Sequence, residues 1–269
     1  MLALDDVLDP SWPKEAWTSK TSSGHRPPEV PGSRACSKKR KGESTVSDPL
    51  ERFSDRQSAG RQLADLLGGR IEGEDAVVLA LPRGGMPVAY EVAKRLGAPL
   101  DILLVRKLGV PWQPELAFGA IGTGDVVVLN DDHIQGLGLG DDLISDIVDR
   151  ERLELERRER TYRDGHAPVD VTGKTVIVVD DGIATGSTVR AALECLAERG
   201  AARRIVACPV AAAETVRGLE DEADEVVCLR TPLQFSAVGA FYDDFTPVSD
   251  TEVKQLLLRA ATEVPEPID

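Results

Sequence analysis

The residues best placed to do chemistry are two adjacent aspartates, Asp180 and Asp181, and the turn of small residues that follows them. They come directly after Val176 to Val179, a β-branched run that is typical of a strand buried on both faces of a parallel sheet. The turn consists of Ala184, Thr185, Gly186, Ser187 and Thr188. A helix from Ser187 to about Glu198 would direct its positive end at an anion held by the amides of this turn. Each charge-assisted hydrogen bond contributes about 1.5–3 kcal/mol, so a few amides can hold a phosphate without a lysine.

Other strand-to-helix motifs fit this stretch less well. A nucleotide-triphosphate P-loop requires GxxxxGK[ST], and no lysine occupies that place. A dinucleotide site requires GxGxxG after the strand, and the sequence differs there too. Receiver domains carry an acidic pair near the amino end of the domain, without an ATGST turn behind it. The remaining alternative is a plain polar turn with exposed acids.

The whole string, TVIVVDDGIATGSTV from Thr175 to Val189, resembles the phosphoribosyl pyrophosphate (PRPP) motif of type I phosphoribosyltransferases. That motif has four apolar residues, two acids, a few further residues, and then Thr-Gly with small hydroxyl residues. The resemblance covers about residues 50 to 260. It implies that the turn binds the 5′-phosphate of PRPP, and that Asp180 and Asp181 hold the ribose hydroxyls or a Mg²⁺ ion, directly or through its waters.

A second candidate anion loop lies upstream. Asp75 to Leu81 reads as another buried strand, and Pro82, Arg83, Gly84 and Gly85 follow it before a helix that starts near Met86. In the family this turn binds pyrophosphate through backbone amides and one basic side chain, for which Arg83 is the candidate. A Pro-x-Gly-Gly turn can also simply join a strand to a helix.

Further basic residues are expected at the end of the next strand. Asp101 to Val105 reads as that strand, and Arg106 and Lys107 follow it, where the family commonly has basic groups that reach pyrophosphate. Lysine is scarce in this chain, since only Lys94, Lys107, Lys174 and Lys254 follow Val46. An acidic protein that binds a polyanion must concentrate bases in its pocket. The resemblance makes Asp180, Asp181, Arg83 and Lys107 the candidate catalytic residues.

The acidic composition bears on partners and location. The formal net charge of −14 over 269 residues disfavours nonspecific binding to nucleic acid or to anionic membranes. No segment reaches the ~20 apolar residues of a membrane span. Residues 1 to about 50, rich in Pro, Ser and Lys, are predicted to be a disordered extension without a signal peptide, followed by one domain over 51–269. We expect a cytoplasmic protein.

The order of the predicted elements indicates the fold. Strands alternate with helices, which is typical of an α/β fold with a doubly wound, mainly parallel sheet. Between Gly109 and Gly124, prolines and glycines predict a mobile lid, although Ala117 to Gly122 can instead be a strand that returns from it. Asp141 to Tyr162 is predicted to be a charged helix, either at a homodimer contact or simply solvated.

Aromatic residues cluster near the carboxyl end, in a segment predicted to be a small hood over about residues 231–247. In purine-salvage relatives the corresponding segment stacks on the base and reads its edge. The weak candidates for base binding are Phe241, Tyr242, Asp243 and Asp244, although the phenylalanines can also merely plug the gap between hood and sheet. Hypoxanthine-guanine enzymes have a carboxylate immediately before the Thr-Gly of the PRPP loop, whereas this chain has Ala184. That difference argues against a 6-oxopurine acceptor.

The resemblance implies a phosphoribosyltransferase of nucleotide salvage, a pentosyl-class glycosyltransferase with Mg²⁺ as its cofactor. It would move 5-phosphoribose from PRPP to a nitrogen nucleophile, most simply a nucleobase, and release pyrophosphate. The alternative is a regulatory protein that senses PRPP without catalysis.

The charge composition also predicts a salt response. Raising potassium chloride from low to multimolar concentration should raise the midpoint of thermal unfolding, because salt screens the self-repulsion of a chain with 46 acidic and 32 basic residues. Circular dichroism melts across the series measure the effect. An unfolding midpoint that does not rise contradicts the prediction.

Overall fold

The computed structural model describes residues 52–71 and 75–263, so the predicted extension over residues 1–50 lies outside the described residues. The helices are α1 (Arg56–Gly68), α2 (Gly85–Leu96), α3 (Asp131–Leu137), α4 (Asp141–Arg163), α5 (Ser187–Glu198), α6 (Ala213–Leu219) and α7 (Asp250–Glu263). The strands are β1 (Ala76–Ala80), β2 (Leu100–Ile102), β3 (Val105–Val110), β4 (Gln113–Gly122), β5 (Val126–Leu129), β6 (Thr175–Val179), β7 (Arg203–Val210) and β8 (Glu225–Arg230). Within these described ranges, no helix is long and apolar enough to span a membrane.

The main sheet contains five parallel strands in the order β2-β1-β6-β7-β8. The chain builds outward from β1 to β2, then returns to the other side of β1 and continues through β6, β7 and β8. The direction of winding therefore reverses between β1 and β6. The predicted α/β fold with a doubly wound parallel sheet is confirmed, and ligands of such sheets bind where the winding reverses.

The continuous apolar runs of the central strands follow from burial on both faces. Along β1, Val78 and Ala80 pack into a cluster with residues of α1, α2 and α7. Val77 and Leu79 point the other way and pack with residues of α5 and α6. Because successive side chains on a strand alternate between faces, only an uninterrupted apolar sequence fills both layers.

The small hood is a second sheet of three antiparallel strands, β3, β4 and β5. The stretch between Gly109 and Gly124, where a lid was predicted, largely forms a hairpin of β3 and β4, and the alternative that Ala117 to Gly122 is a returning strand is confirmed. Phe118 and Ile121 are fully buried in the cluster that also contains Ile147 of α4. This packing stabilises strands in a sequence whose glycines and prolines favour a loop.

Residues 231–247, which the sequence predicts to form the hood, follow the last strand of the main sheet. They contain a 3-10 turn at Val238–Phe241 and lie against the start of the described chain. The backbone N–H of Phe53 donates to the carbonyl of Phe241 at 2.9 Å, and the N–H of Asp243 donates to the carbonyl of Phe53 at 2.8 Å. The rings of Phe53 and Tyr242 lie 5.4 Å apart. Tyr242 therefore packs inside the protein, whereas Phe235, Phe241 and Phe245 remain partly exposed.

Helix α4 is tied to the main sheet by a buried ion pair. Arg163, at its last turn, donates to a carboxylate oxygen of Asp101 on β2 and to the carbonyl of Ile102. The same carboxylate accepts the N–H of Val169 at 2.9 Å. Such a pair is costly to break, because removal of one partner leaves the other charged and buried.

We expect Arg163→Met to lower the free energy of unfolding by about 3 kcal/mol, because it leaves the buried Asp101 carboxylate without its cation. Arg160→Met on the exposed side of the same helix is the matched control and should change it by less than about 0.5 kcal/mol. Urea denaturation measures both. Equal losses of unfolding free energy in the two variants would show that the buried ion pair contributes no more stability than the exposed one.

Candidate active site

Both predicted anion loops leave the main sheet at the same edge. In the ladder between β1 and β6, Ala80 pairs with Val179, and the N–H of Leu81 donates to the carbonyl of Val179 at 2.9 Å. The Pro82 loop and the Asp180 pair therefore begin side by side. They lie at the carboxyl ends of the two strands between which the sheet reverses its winding.

The carbonyl groups of the turn before α5 accept hydrogen bonds from side chains of α5 and α6. Gly186 has a φ of +75°, a left-handed conformation that favours glycine, and it caps the helix. The hydroxyl of Thr215 on α6 donates to the carbonyl of Ala184 at 2.6 Å. The Nη1 group of Arg190 donates to the carbonyl of Thr185 at 3.0 Å. These contacts fix the carbonyls of the turn against the protein.

The backbone amides of the same turn are available as hydrogen-bond donors. Among the described residues, none accepts a hydrogen bond from the backbone N–H groups of Ala184, Thr185, Gly186, Ser187 and Thr188. The first backbone bond of α5 runs from the N–H of Arg190 to the carbonyl of Gly186. Amides without a protein acceptor at the positive end of a helix are suited to hold an anion such as phosphate.

The Pro82–Gly85 loop packs directly on the end of β6. Its Pro82-Arg83 peptide bond is cis, and the N–H of Gly85 donates to the carbonyl of Leu81 at 3.1 Å. A Cβ atom at Gly84 would collide with the Asp181 carboxylate, and one at Gly85 would lie 2.5 Å from the carbonyl oxygen of Val179. Both glycines are therefore required by the close approach of this loop to β6.

The two aspartates have different surroundings. Asp181 is buried, and its Oδ2 accepts a hydrogen bond from Nε of Arg56 at 2.7 Å. Asp180 is partly exposed, and its Oδ1 accepts the backbone N–H of Asp181 at 2.9 Å. Desolvation and the neighbouring Asp181 carboxylate raise the pKa of Asp180 well above its ordinary value. Desolvation also raises the pKa of Asp181, although Arg56 opposes the shift.

The predicted basic residues separate into three environments. Arg83 is half exposed, with its Nη1 3.8 Å from Asp250 of α7. Lys107 lines a cleft that also includes Thr188 of the turn before α5. Arg106 lines the same cleft, but its guanidinium is paired with Glu151 of α4. The expectation that Arg106 and Lys107 follow a core strand was wrong, because both lie inside β3 of the small sheet.

The candidate base-binding residues are also divided. Tyr242 is fully buried and its hydroxyl donates to the carbonyl of Asp181 at 2.5 Å, so its ring offers no stacking face and that expectation is corrected. Phe241 is half-buried and stacks on Phe235, with ring centroids 5.5 Å apart. Asp243 and Asp244 are exposed.

Arg56 is an important residue that the sequence analysis missed. It holds Asp181, donates to the carbonyl of Thr246 at 2.8 Å and lies over the ring of Phe245 at 3.8 Å. The signal was present, since Arg56 shares the buried face of α1 with Ala59, Gly60, Leu63, Ala64 and Leu67. A charge on the apolar face of a helix indicates a buried partner.

The sequence model of the phosphoribosyl transferase domain family matches residues 52–245. The chain belongs to this phosphoribosyltransferase family. The family resemblance stated above is thereby confirmed, and the two loops described here lie inside the matched range.

Two individual relatives support the family assignment. A protein of Mycobacterium tuberculosis H37Rv with the provisional name phosphoribosyl transferase Rv0571c is 51% identical over 212 residues, which are 78% of this chain and 47% of that protein. The chain thus spans about half the length of the curated relative. The bifunctional protein PyrR of Chloroflexus aurantiacus is 34% identical over 120 residues, which are 44% of this chain and 60% of that protein.

A solved structure supports the fold. The crystal structure of the protein TT1426 from Thermus thermophilus superposes with a TM-score of 0.72 at 43% identity. The match covers 78% of this chain and 99% of TT1426.

We expect Gly186→Ala to weaken the binding of ribose 5-phosphate by about tenfold or more. The new Cβ would be strained at a φ of +75° and would lie 2.8 Å from Cγ2 of Thr215, so the turn and its amides must move. Gly138→Ala is the matched control, because Gly138 also has a positive φ, +62°, but open space around it. Calorimetric titration measures both, and unchanged affinity in Gly186→Ala contradicts the assignment of the turn.

Proposed function

We propose that this phosphoribosyltransferase moves the 5-phosphoribosyl group of PRPP to a nitrogen nucleophile of a small acceptor, a nucleobase, and releases pyrophosphate. The observation that carries the proposal is that the Pro82–Gly85 loop and the Asp180 pair leave the ends of β1 and β6 side by side, with Asp181 against Gly84. PRPP has a phosphate at one end and a pyrophosphate at the other. Two anion sites separated by acids match that distribution of charge.

The ribose 5-phosphate half of PRPP would bind at the turn before α5. The amides from Ala184 to Thr188 lack protein acceptors within the described part of the chain, and together with the end of α5 they offer several charge-assisted hydrogen bonds. Asp180 is the better placed of the two acids to accept hydrogen bonds from the ribose hydroxyls, because it is partly exposed whereas Asp181 is bound to Arg56. Asp181 would act by orienting the loops.

The pyrophosphate half would bind along the Pro82–Gly85 loop. Arg83 supplies a half-exposed guanidinium, and the backbone there comes within contact distance of β6. Lys107 would contribute positive charge from the cleft beside Thr188. Negative charge grows on the pyrophosphate as its bond to C1 of the ribose breaks, so fixed cations there stabilise the transition state.

The donor set fits Mg²⁺ bound together with its substrate. No group of three or more histidine, cysteine or acidic side chains capable of holding a metal occurs in residues 52–71 and 75–263. Magnesium often binds through one or two carboxylates, substrate phosphates and waters rather than in an all-protein cage. Asp180 would hold it, with Asp181 contributing through a water because Arg56 occupies one of its oxygens, and the ion would neutralise charge on the departing pyrophosphate.

The acceptor would approach from the side of residues 231–247. With Tyr242 buried, the candidates for contact with a base are Phe241, Asp243 and Asp244. Ala184 supplies no carboxylate for the base proton, which argues against a 6-oxopurine acceptor. Closure of the β3–β4 hairpin over the sugar, which would exclude water from the reacting carbon, stays a prediction.

A second candidate function is PRPP sensing without catalysis. It is favoured by the burial of Tyr242, which removes the predicted stacking face for an acceptor. It is also favoured by the Arg56 pair, which gives Asp181 a structural role. A sensor would bind PRPP at the same two loops and release no pyrophosphate.

The proposal predicts magnesium-dependent release of pyrophosphate from PRPP when a panel of nucleobases is supplied. Asp180→Asn should lower the rate by about 100-fold or more while leaving the Arg56–Asp181 pair intact, and Asp180→Asn with Asp181→Asn should abolish it. Asp131→Asn with Asp132→Asn, an adjacent exposed pair at the start of α3, is the matched control and should retain the rate.

Two results would count against the transferase. If wild-type protein binds PRPP in calorimetry but releases no pyrophosphate with any acceptor, the sensor is favoured. If it does not bind PRPP at all, both candidate functions fail.

A further inference from the structure

A second basic cleft opens beside the pyrophosphate loop, on the side of α4. It has a volume of about 270 Å³, and the side chains that matter here are Arg83, Arg157, Arg158, Tyr162 and Asp250. Arg83 belongs to the Pro82–Gly85 loop, whereas Arg157 and Arg158 come from the last two turns of α4. The cleft is thus continuous with the proposed pyrophosphate site through one shared guanidinium.

The arginines keep hydrogen-bond donors that no described neighbour uses. Arg158 donates only its Nε, to Glu154, so both of its terminal amino groups remain available. Arg157 donates Nε and Nη2 to the same Glu154 carboxylate and keeps Nη1. Arg83 makes no side-chain hydrogen bond within the described ranges, since its closest carboxylate oxygen, on Asp250, is 3.8 Å away. All three side chains are between 46% and 63% exposed.

The charge of the cleft is positive after its acids are included. Glu154 and Asp250 are the carboxylates in contact with the three arginines, and Asp250 also accepts the hydroxyl of Tyr162 at 2.6 Å. Three cations therefore meet two anions, in a chain whose formal charge is −14. Local excess of arginine on such an acidic protein favours a bound anion, and guanidinium groups match phosphate oxygens in geometry.

We propose that Arg157 and Arg158, together with Arg83, form a subsite for a third phosphate group, next to the two phosphates of pyrophosphate. Its ligand is a condensed chain of three phosphates, either inorganic tripolyphosphate or the triphosphate of a nucleotide. This inference rests on the proposed function, because it takes the Pro82–Gly85 loop as the pyrophosphate site. A triphosphate that spans both would compete with PRPP and so inhibit the transferase.

The test compares pyrophosphate, tripolyphosphate and ATP by calorimetric titration of the full chain, at one ionic strength and without added divalent cations. Wild-type protein should bind tripolyphosphate about tenfold more tightly than pyrophosphate. Arg157→Gln with Arg158→Gln should remove that difference and leave pyrophosphate binding within about twofold. ATP that binds more tightly than tripolyphosphate identifies a nucleotide as the ligand, whereas tighter tripolyphosphate binding identifies the inorganic chain.

The matched control is Arg150→Gln with Arg160→Gln, which removes two exposed arginines from the same helix outside the cleft. It should keep the preference for tripolyphosphate. The inference is overturned if wild-type protein binds the two anions equally, or if both double variants lose the same affinity, because the effect is then general electrostatics. These outcomes are independent of catalysis: the subsite stands on selective loss of tripolyphosphate binding even if no acceptor is ever phosphoribosylated.

Discussion

The parallel pairing of β1 with β6 is the contact on which the rest of the site depends. It joins strands that are separated by about a hundred residues of chain and brings the ends of both to one edge of the sheet. Gly84 then lies against the Asp181 carboxylate and Gly85 against the carbonyl of Val179. At this distance any side chain on either glycine would push the loops apart. The spacing between the two loops is thus set by close packing at Gly84 and Gly85, against the anchored Asp181 carboxylate and the backbone of β6.

A second network fixes the orientation of that edge. The carboxylate of Asp181 binds Arg56 of α1, and its backbone carbonyl accepts the hydroxyl of Tyr242. Burial raises the pKa of Tyr242 far above its ordinary value, so the hydroxyl stays protonated and continues to donate. One residue therefore connects the first helix, the central strand and the segment near the carboxyl end. Asp181 is therefore ordered before any ligand binds, and binding does not have to supply the free energy for ordering it.

The sequence was sufficient for the parts of the site that local chemistry dictates. A β-branched run that ends in acids and then in small residues has few structural solutions, so β6, the turn and α5 could be predicted within a residue or two. The same holds for β1 and the Pro82–Gly85 loop. The charged helix α4 was also predictable, because its few apolar residues recur at helical spacing within an otherwise charged sequence.

The remainder depends on contacts between distant parts of the chain. The β3–β4 hairpin is stabilised by Phe118 and Ile121, whose burial under α4 overrides the local preference of glycine and proline for loops. Tyr242 sits beside two exposed aspartates in sequence, and only its packing on Phe53 reveals that it is buried. Arg56 carried a local signal, but its partner Asp181 lies 125 residues away. Sequence patterns identify which residues are unusual, whereas tertiary structure decides what they bind.

The central claim is that one ligand spans both loops, with a phosphate at the turn before α5 and a pyrophosphate at the Pro82–Gly85 loop. A crystal structure of the full chain with PRPP and Mg²⁺ tests this most directly. We predict density for the 5′-phosphate within hydrogen-bonding distance of the amides from Thr185 to Thr188, and for the pyrophosphate beside Gly84. PRPP bound elsewhere, or with its two ends reversed between the loops, would contradict the account.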